Sequence, residues 1–239
     1  MKQNKNGISI IIPVLNEAHI IAKLLEHLKV SAQTANILEI LVVDGGSKDK
    51  TVSIAKNYGA KVIHSKKGRA RQLNYGAKNA IGDILYFLHA DTLPPKGFDK
   101  LVLNAVKKGH NSGCFRMQFD SRNPVLRFFG WLSCINHTLC RGGDQSLFIS
   151  KTIFNTTNGF NEDYLIYEDS EFIKRLYKDV GFIVLPDKVI TSARKYRQKG
   201  WVKVQYHFGM IHLKSYLGCL LYTSPSPRDQ RGSRMPSSA

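Results

Sequence analysis

The chain has 239 residues, 43% of them hydrophobic, which suits one domain of generous size with a buried core. Its net charge of +17, from 35 Lys and Arg against 18 Asp and Glu, indicates a polyanionic partner such as a nucleotide diphosphate, an anionic lipid surface or nucleic acid. The four cysteines lack metal-ligand spacing and a dense disulfide framework, and no apolar segment approaches the roughly 18 to 20 residues that span a bilayer, so we expect a cytoplasmic protein without a zinc site.

Two apolar runs near the N-terminus each end in polar, turn-forming residues. Residues 8–15 (ISIIIPVL) lead to Asn16 and Glu17, and residues 38–43 (LEILVV) lead to Asp44 and two glycines. Apolar residues at helical spacing lie between the runs, which predicts a strand-helix-strand unit. The carboxyl ends of parallel strands form the edge at which α/β proteins bind ligands. The first run is interrupted by Pro13 and has no cleavage pattern, so it is a core strand and not a secretory signal.

The same alternation continues along the chain. We predict a helix over residues 51–58 with Ser47 or Asp49 as N-cap, a strand over 61–64 and a helix over 71–80. Residues 84–88 (ILYFL) predict a buried strand that ends in His89 and Asp91. Further strands are expected over residues 146–150 and 181–185, and residues 167–172 are expected to lead into an amphipathic helix that carries Phe172, Ile173 and Leu176. The pattern predicts an α/β fold in which three strands bring acidic residues to one edge.

Six short blocks in the region 8–200 carry a resemblance to a known family. They are residues 13–17 (PVLNE), 44–51 (DGGSKDKT), 68–77 (GRARQLNYGA), 88–92 (LHADT), 141–145 (RGGDQ) and 167–169 (YED). In this order they resemble the family 2 glycosyltransferases, and in detail a bacterial subgroup associated with arsenosugar biosynthesis. The resemblance implies a three-layer α/β/α nucleotide-diphospho-sugar transferase fold with a mostly parallel central sheet. It also implies an inverting, metal-dependent transfer of a sugar from a nucleotide-diphosphate donor, UDP-sugar being favoured, to the hydroxyl of a small or lipid-linked acceptor.

The resemblance implies donor contacts from the first part of the chain. The candidate donor-binding residues are Pro13, Leu15, Glu17, Asp44, Gly46, Arg69, Gln72 and Asp91. Carboxylates suit the nucleoside because ribose hydroxyls and a uracil N–H are hydrogen-bond donors. Gly45 stands where many relatives carry a second Asp, which leaves the base specificity open. Asp44 and Ser47 have an alternative role as turn and cap residues.

Asp91 is the candidate metal ligand, for Mn²⁺ or Mg²⁺. These cations prefer oxygen ligands and can neutralise a departing diphosphate. His89 occupies the first position of the commoner Asp-x-Asp pattern, so it either binds the metal, contacts the sugar or packs in the core. Asp91 is also a suitable turn residue, because Pro94 and Pro95 follow closely.

On the acceptor side, the resemblance assigns the catalytic base to Asp169, with Glu168 as its positioning or sugar-binding partner. Alternatively, both acids only cap a helix. Gly143, Asp144 and Gln145 are expected to line the pocket for the sugar and the acceptor. Arg194 and Lys195 follow the last predicted strand and are the candidate diphosphate clamp. Arg175 either braces the Glu168 and Asp169 pair or is exposed.

We expect one domain over residues 1–218, with a nucleotide-binding half at about 7–92 and an acceptor half at about 93–218. Residues 219–239, rich in Ser, Pro and Arg, are interpreted as a non-native disordered tail. The basic, amphipathic stretch 201–217 favours peripheral attachment to the inner face of an anionic membrane. The aromatic run 127–132 belongs either to the core, to an acceptor-facing wall or to a membrane-facing patch.

Two other function classes are weighed against the transferase. A nucleotidyltransferase on a related fold should carry a basic, Gly-rich loop after the first strand, where this chain has PVLNE. A nucleic-acid-binding module has the charge in its favour but no recognition motif, so no nucleic-acid partner is expected.

Overall fold

The computed structural model describes residues 7–33, 35–164 and 166–199. Within these ranges the strands are β1 Ile8–Val14, β2 Ile37–Asp44, β3 Lys61–His64, β4 Ile84–Phe87, β5 Thr92–Leu93, β6 Ser112–Phe119, β7 Leu147–Ser150 and β8 Ile183–Thr191. The α-helices are α1 Ala18–Ser31, α2 Thr51–Asn57, α3 Arg69–Asn79, α4 Phe98–Lys107, α5 Pro124–Leu132, α6 Lys151–Thr156, α7 Glu168–Asp179 and α8 Arg194–Lys199. In this part of the chain, none of the helices combines the length and the apolar character that crossing a membrane requires. The predicted membrane segment 201–217 and tail 219–239 lie outside the described residues.

The strands form one sheet in the order β3-β2-β1-β4-β7-β6-β8-β5. β1 pairs in parallel with β2 and β4, and β2 pairs in parallel with β3. Successive residues of β1 face opposite sides: Ile10 and Ile12 pack with Leu24 of α1, whereas Ile11 packs with Leu73 of α3. Helices therefore cover both faces of the sheet, which confirms the α/β fold with three layers.

The other half of the sheet is mixed. β7 runs antiparallel to β4 and β6, β8 runs parallel to β6, and β5 is antiparallel to β8. β8 continues to Thr191, so the predicted end at residue 185 is wrong. The register between β6 and β8 changes between Phe115 and Arg116, opposite Pro186. This irregularity accommodates a proline, which lacks the N–H that a regular ladder uses, without ending the strand.

Helix α5 contains the aromatic run 127–132, for which the sequence left three roles open. Leu126 is buried with Phe119, whereas Phe128 and Trp131 are exposed. The interpretation of the run as core is therefore wrong for these two rings.

Candidate active site

The turns that follow β1 and β2 are hydrogen-bonded to each other. Asn16 N–H donates to the Ser47 hydroxyl at 2.9 Å. The N-cap position of α2 is Lys50, so the prediction of Ser47 or Asp49 at that position is wrong. The Asp49 carboxylate nevertheless accepts from the N–H of Thr51, the first residue of α2, at 3.0 Å. Its other oxygen accepts from the N–H of Ala18, the first residue of α1, at 3.2 Å, a contact that the sequence did not reveal.

Asp44 closes the turn after β2. Its buried carboxylate accepts hydrogen bonds from the N–H groups of Gly46 at 3.1 Å and Ser47 at 3.0 Å, and His64 Nδ1 lies 3.2 Å away. Gly46 has φ of 96°, which a residue with a side chain rarely adopts. The turn role of Asp44 is confirmed, and its contact with a nucleoside stays a prediction.

Gln72 holds the ends of the first two strands together. Its Nε2 donates to the carbonyls of Val14 at 2.9 Å and Val43 at 2.8 Å, and the side chain is buried. A Cβ added at Gly45 would lie 3.0 Å from Gln72 Cδ. The absence of an Asp at position 45 therefore fits this packing, because a carboxylate there would crowd the amide. This arrangement leaves the predicted donor contact of Gln72 without support.

Arg194 reaches the end of β1. One guanidinium nitrogen lies 3.4 Å from Glu17 Oε2, and another contacts the His19 ring. Pro13 and Leu15 are half-buried beside the largely buried Glu17. The fold therefore joins the predicted diphosphate clamp to the predicted nucleoside site. The side chain of Lys195 lies outside the described part of the structure.

The central feature of the site is a buried imidazole between carboxylates. His89 Nδ1 lies 3.6 Å from Asp144 Oδ1, and His89 Nε2 lies 3.6 Å from Asp169 Oδ2. His89, Asp91 and Asp144 each offer a ligand atom within 4.8 Å of the others. Two carboxylates and one imidazole fit a divalent cation such as Mn²⁺ or Mg²⁺. These contacts favour a polar role for His89 over packing alone, and its binding of a metal stays a prediction.

The register of β4 and β7 explains this meeting of residues distant in sequence. Phe87, the last residue of β4, lies opposite Leu147, the first residue of β7. The segment after β4, which carries His89 and Asp91, therefore lies beside the segment before β7, which carries Asp144 in a 3-10 helix over Gly143–Gln145.

Arg69 connects helix α3 to the two acids at the start of α7. It is the first residue of α3, and its NH1 lies 3.2 Å from both Glu168 Oε1 and Asp169 Oδ2. Both acids lie in the first turn of α7, which follows Tyr167 with φ of 82°. A helix N-terminus stabilises carboxylates, so the cap role and the ion-pair role coexist here.

These contacts shift the pKa values of the site in opposite directions. Burial favours a higher pKa for Asp169, but the contact with His89 and the charges of His89 and Arg69 outweigh it and lower the pKa. Burial raises the pKa of Glu168, and the charge of Arg69 offsets this only in part. Burial and Arg69 disfavour the charged form of His89, but the carboxylates of Asp144 and Asp169, each 3.6 Å from a ring nitrogen, raise its pKa overall. Both pKa shifts therefore favour the charged forms of Asp169 and His89.

Arg141 is a buried organiser of the loop that carries Asp144. Its guanidinium donates to the Ser133 carbonyl at 2.9 Å, to the Ile135 carbonyl and to Gln145 Oε1. Gln145 Nε2 in turn donates to the Cys140 carbonyl at 2.6 Å. Both ends of the Gln145 amide are thus engaged within the protein, which leaves its predicted contact with a sugar hydroxyl without support.

Arg175 does neither of the two things expected of it. It pairs with Glu171 through a 2.6 Å contact and donates to the carbonyls of Thr157 at 2.5 Å and Gly159 at 2.6 Å. It therefore fastens α7 to the turn after α6, away from Glu168 and Asp169.

Solved structures share this architecture. S. aureus TarS 1-349 in complex with UDP aligns with a TM-score of 0.67 and 21% identity, over 78% of this chain and 60% of that chain. Glucosyl-3-phosphoglycerate synthase from Mycobacterium tuberculosis, in complex with Mn²⁺, UDP and glucosyl-3-phosphoglycerate, aligns with a TM-score of 0.59 and 17% identity, over 77% and 70%. The mannosyltransferase PcManGT from Pyrobaculum calidifontis, in complex with GDP-Man and Mn²⁺, aligns with a TM-score of 0.57 and 20% identity, over 77% and 56%. At these identities the likeness concerns the fold.

Comparison of the sequence with known proteins identifies the family. A glycosyltransferase of Rickettsia prowazekii (strain Madrid E) is 41% identical over 217 residues, 81% of this chain and 66% of its own length. A PGL/p-HBAD biosynthesis glycosyltransferase of Mycobacterium bovis (strain BCG / Pasteur 1173P2) is 28% identical over 198 residues, 77% of this chain and 75% of its own length. The chain spans between 30% and 66% of the length of the three rickettsial relatives that it matches. The model of glycosyl transferase family 2 matches residues 9–166, and the chain therefore belongs to that family.

Proposed function

We propose that this chain is an inverting glycosyltransferase that moves a sugar from a nucleotide-diphosphate donor to an acceptor hydroxyl with the help of a divalent cation. The observation that carries the proposal is the cluster of His89, Asp91, Asp144 and Asp169 at the carboxyl edge of the sheet in a family 2 chain. The UDP complex of TarS and the GDP-Man complex of PcManGT support a nucleotide-sugar donor. We favour a UDP-sugar as the donor and a small or lipid-linked molecule as the acceptor. The proposed location is the cytoplasm, with peripheral attachment to the inner face of the membrane.

His89, Asp91 and Asp144 would hold the cation, Mn²⁺ or Mg²⁺. When bound, such an ion neutralises the negative charge that grows on the departing diphosphate. The Mn²⁺ complexes of two structural neighbours support this assignment. Pro13, Leu15, Glu17, Asp44 and Gly46 are proposed to bind the nucleoside, with Gly143 beside the sugar. Arg194 and Lys195 are proposed to clamp the diphosphate, which requires Arg194 to exchange Glu17 for phosphate oxygens.

Asp169 is the proposed general base. Its carboxylate takes the proton of the acceptor hydroxyl while that oxygen bonds to the anomeric carbon and the bond from this carbon to the diphosphate breaks. Attack opposite the leaving group inverts the anomeric configuration. The Arg69 guanidinium lies 3.2 Å from both Asp169 and Glu168, and this contact orients the carboxylate of Asp169.

Thermal unfolding tests the proposal directly. The full chain is melted with UDP, GDP, CDP or ADP, each with and without Mn²⁺, beside an Asp91→Asn variant. We expect one diphosphate to raise the Tm only with the metal, and Asp91→Asn to lose this effect. Asp179→Asn, an exposed acid at the end of α7, is the matched control and should keep it. If the protein is folded and none of the four diphosphates raises the Tm in the presence of metal, the proposal is wrong.

A further inference from the structure

Helix α5 is apolar on two opposite sides. Leu126 and Gly130 are buried on the inner side, where a Cβ at Gly130 would lie 3.2 Å from the Met117 carbonyl of β6. The outer side presents Phe128, Trp131 and Ile135, which are 54%, 59% and 43% exposed. Their spacing of three and four residues aligns them in one stripe along α5 and the turn that follows it. We call these three residues the outer stripe.

Two residues of the outer stripe, Phe128 and Trp131, form an aromatic surface. The rings of Phe128 and Trp131 stack with centroids 6.0 Å apart and an angle of 25° between their planes. Exposed apolar side chains scattered singly are ordinary on proteins, but a contiguous patch with a polar rim marks an interaction surface. Two exposed rings stacked on one helix turn therefore favour contact with a partner of apolar character.

The rim of this patch is cationic. A cavity of about 450 Å³ lies between α5 and the end of β6, with apolar walls that include Met117 and Trp131. Arg122, Arg127 and Lys188 also line it, and all three are exposed. The lining residues include no acid, and in the described part of the chain these three cations form no ion pair. This charge favours a partner that is anionic as well as apolar.

We propose that this face docks the protein on an anionic phospholipid bilayer. The outer stripe enters the interfacial region, the level at which Trp and other aromatic rings are favoured, and the three cations engage lipid phosphates. Each cation near an anionic surface is expected to contribute about fivefold in affinity. The surplus of positive charge over the whole chain, +17, favours approach to the same surface.

The docking face adjoins the candidate active site. β6 ends at Phe119, which lies opposite Thr191 of β8, and the N–H of the next residue, Ser192, donates to the Asp91 carbonyl at 3.1 Å. Docking would therefore hold the carboxyl edge of the sheet close to the bilayer. The inference concerns binding alone and does not depend on the proposed transfer reaction.

Tryptophan fluorescence provides the test, because the chain has two tryptophans, Trp131 and Trp201. In a Trp201→Phe variant of the full chain, Trp131 is the only reporter. We expect its emission to shift to the blue, and the protein to co-sediment, with phosphatidylcholine vesicles that contain phosphatidylglycerol but not with phosphatidylcholine alone. A Phe128→Ser, Trp131→Ser double variant should lose at least about tenfold in vesicle affinity. Replacing Arg122, Arg127 and Lys188 by Gln should reduce the affinity about a hundredfold.

Matched controls distinguish binding through this face from nonspecific apolar or electrostatic binding. Tyr75→Ser removes an aromatic ring that is 42% exposed on α3, and Lys107→Gln with Lys108→Gln removes two exposed cations. Each control should change vesicle affinity less than about threefold, and every variant is checked for an unchanged Tm. The proposal is overturned if the protein sediments with anionic vesicles while Trp131 emission stays constant. It is equally overturned if Trp131 shifts with protein concentration or with RNA and not with vesicles, since the occupant would then be a second copy or a nucleic acid.

Discussion

Arg69→Gln is the substitution that tests the electrostatics of the site most directly. It keeps a polar side chain at the start of α3 but removes the positive charge that lies 3.2 Å from both Glu168 and Asp169. The pKa of Asp169 lies below its usual range because His89 and Arg69 outweigh the effect of burial. Without Arg69, we expect this pKa to rise. Asp169 acts as a base only when it is ionised, and in the variant it would become protonated at a higher pH than in the wild type.

The size of the rise follows from the distance and the exposure. One pair of unit charges at this separation interacts by about 5 kcal/mol at an effective dielectric constant of about 20. The Arg69 side chain is 29% exposed, so water screens part of this energy. Measured pKa shifts from a single neighbouring charge are about one to three units. Because His89 remains in place, we expect the pKa of Asp169 to rise by about one to two units.

The assay is the pH dependence of kcat/KM for transfer, measured for the wild type and for Arg69→Gln. The acidic limb of the profile should move up by about one to two pH units. The control is Arg71→Gln on the same helix, because Arg71 is half-exposed and pairs at 3.7 Å with the exposed Glu162. Its acidic limb should coincide with that of the wild type. An acidic limb that stays in place, or moves to lower pH, in Arg69→Gln would refute the reasoning.

Three further predictions concern stability and reactivity. Gly76→Ala should lower the free energy of unfolding in urea by about 1–3 kcal/mol, because the new Cβ would lie 2.5 Å from Ile11 Cγ2 between α3 and the sheet. Arg141→Met should lower the free energy of unfolding by about 3 kcal/mol, because the acceptors that this buried guanidinium satisfies would lose their donor. Phe128→Ser, at an exposed position, should change it by less than about 1 kcal/mol. Burial raises the pKa of the Cys114 thiol to about 11, so Cys114 should stay unmodified by iodoacetamide at pH 8 in the native protein and react after unfolding, as mass spectrometry of its peptide would reveal.

The first half of the fold was predictable because its signals are local. β1 and β4 are buried along nearly their whole length, and β2 is buried from Leu41 onward, so each gives a largely apolar run that turn residues follow at once. β6 carries a weaker signal, the alternation of Phe115, Met117 and Phe119 with Arg116 and Gln118, and it was missed. β8 was cut short because a proline inside a strand is normally a stop signal, and a bulge at this point removes the conflict.

The sequence named candidate residues for the site but not their arrangement. Motifs named Asp91, Asp144 and Asp169, yet their approach to His89 depends on the antiparallel register of β4 with β7 and on where α3 meets α7. No local pattern encodes such pairings, because they arise from long-range contacts. The same reason hid the contact of Asp49 with the N–H of Ala18, which joins two turns that are distant in sequence.

The charge balance of the cluster argues for a cation independently of the family. The cluster comprises four carboxylates, Asp91, Asp144, Glu168 and Asp169, together with Arg69 and His89. Carboxylates that lie this close together disfavour one another's ionised form, and a divalent cation bound there would offset this repulsion. His89 can bind such a cation only as the neutral imidazole, so it would have to give up the proton that its raised pKa favours. Glu168, whose pKa is raised by burial, is the acid that the repulsion most readily leaves protonated without the cation. Binding of the cation should therefore release protons, which a measurement of proton release upon Mn²⁺ addition in weak buffer would detect, and the release should be lost in Asp91→Asn.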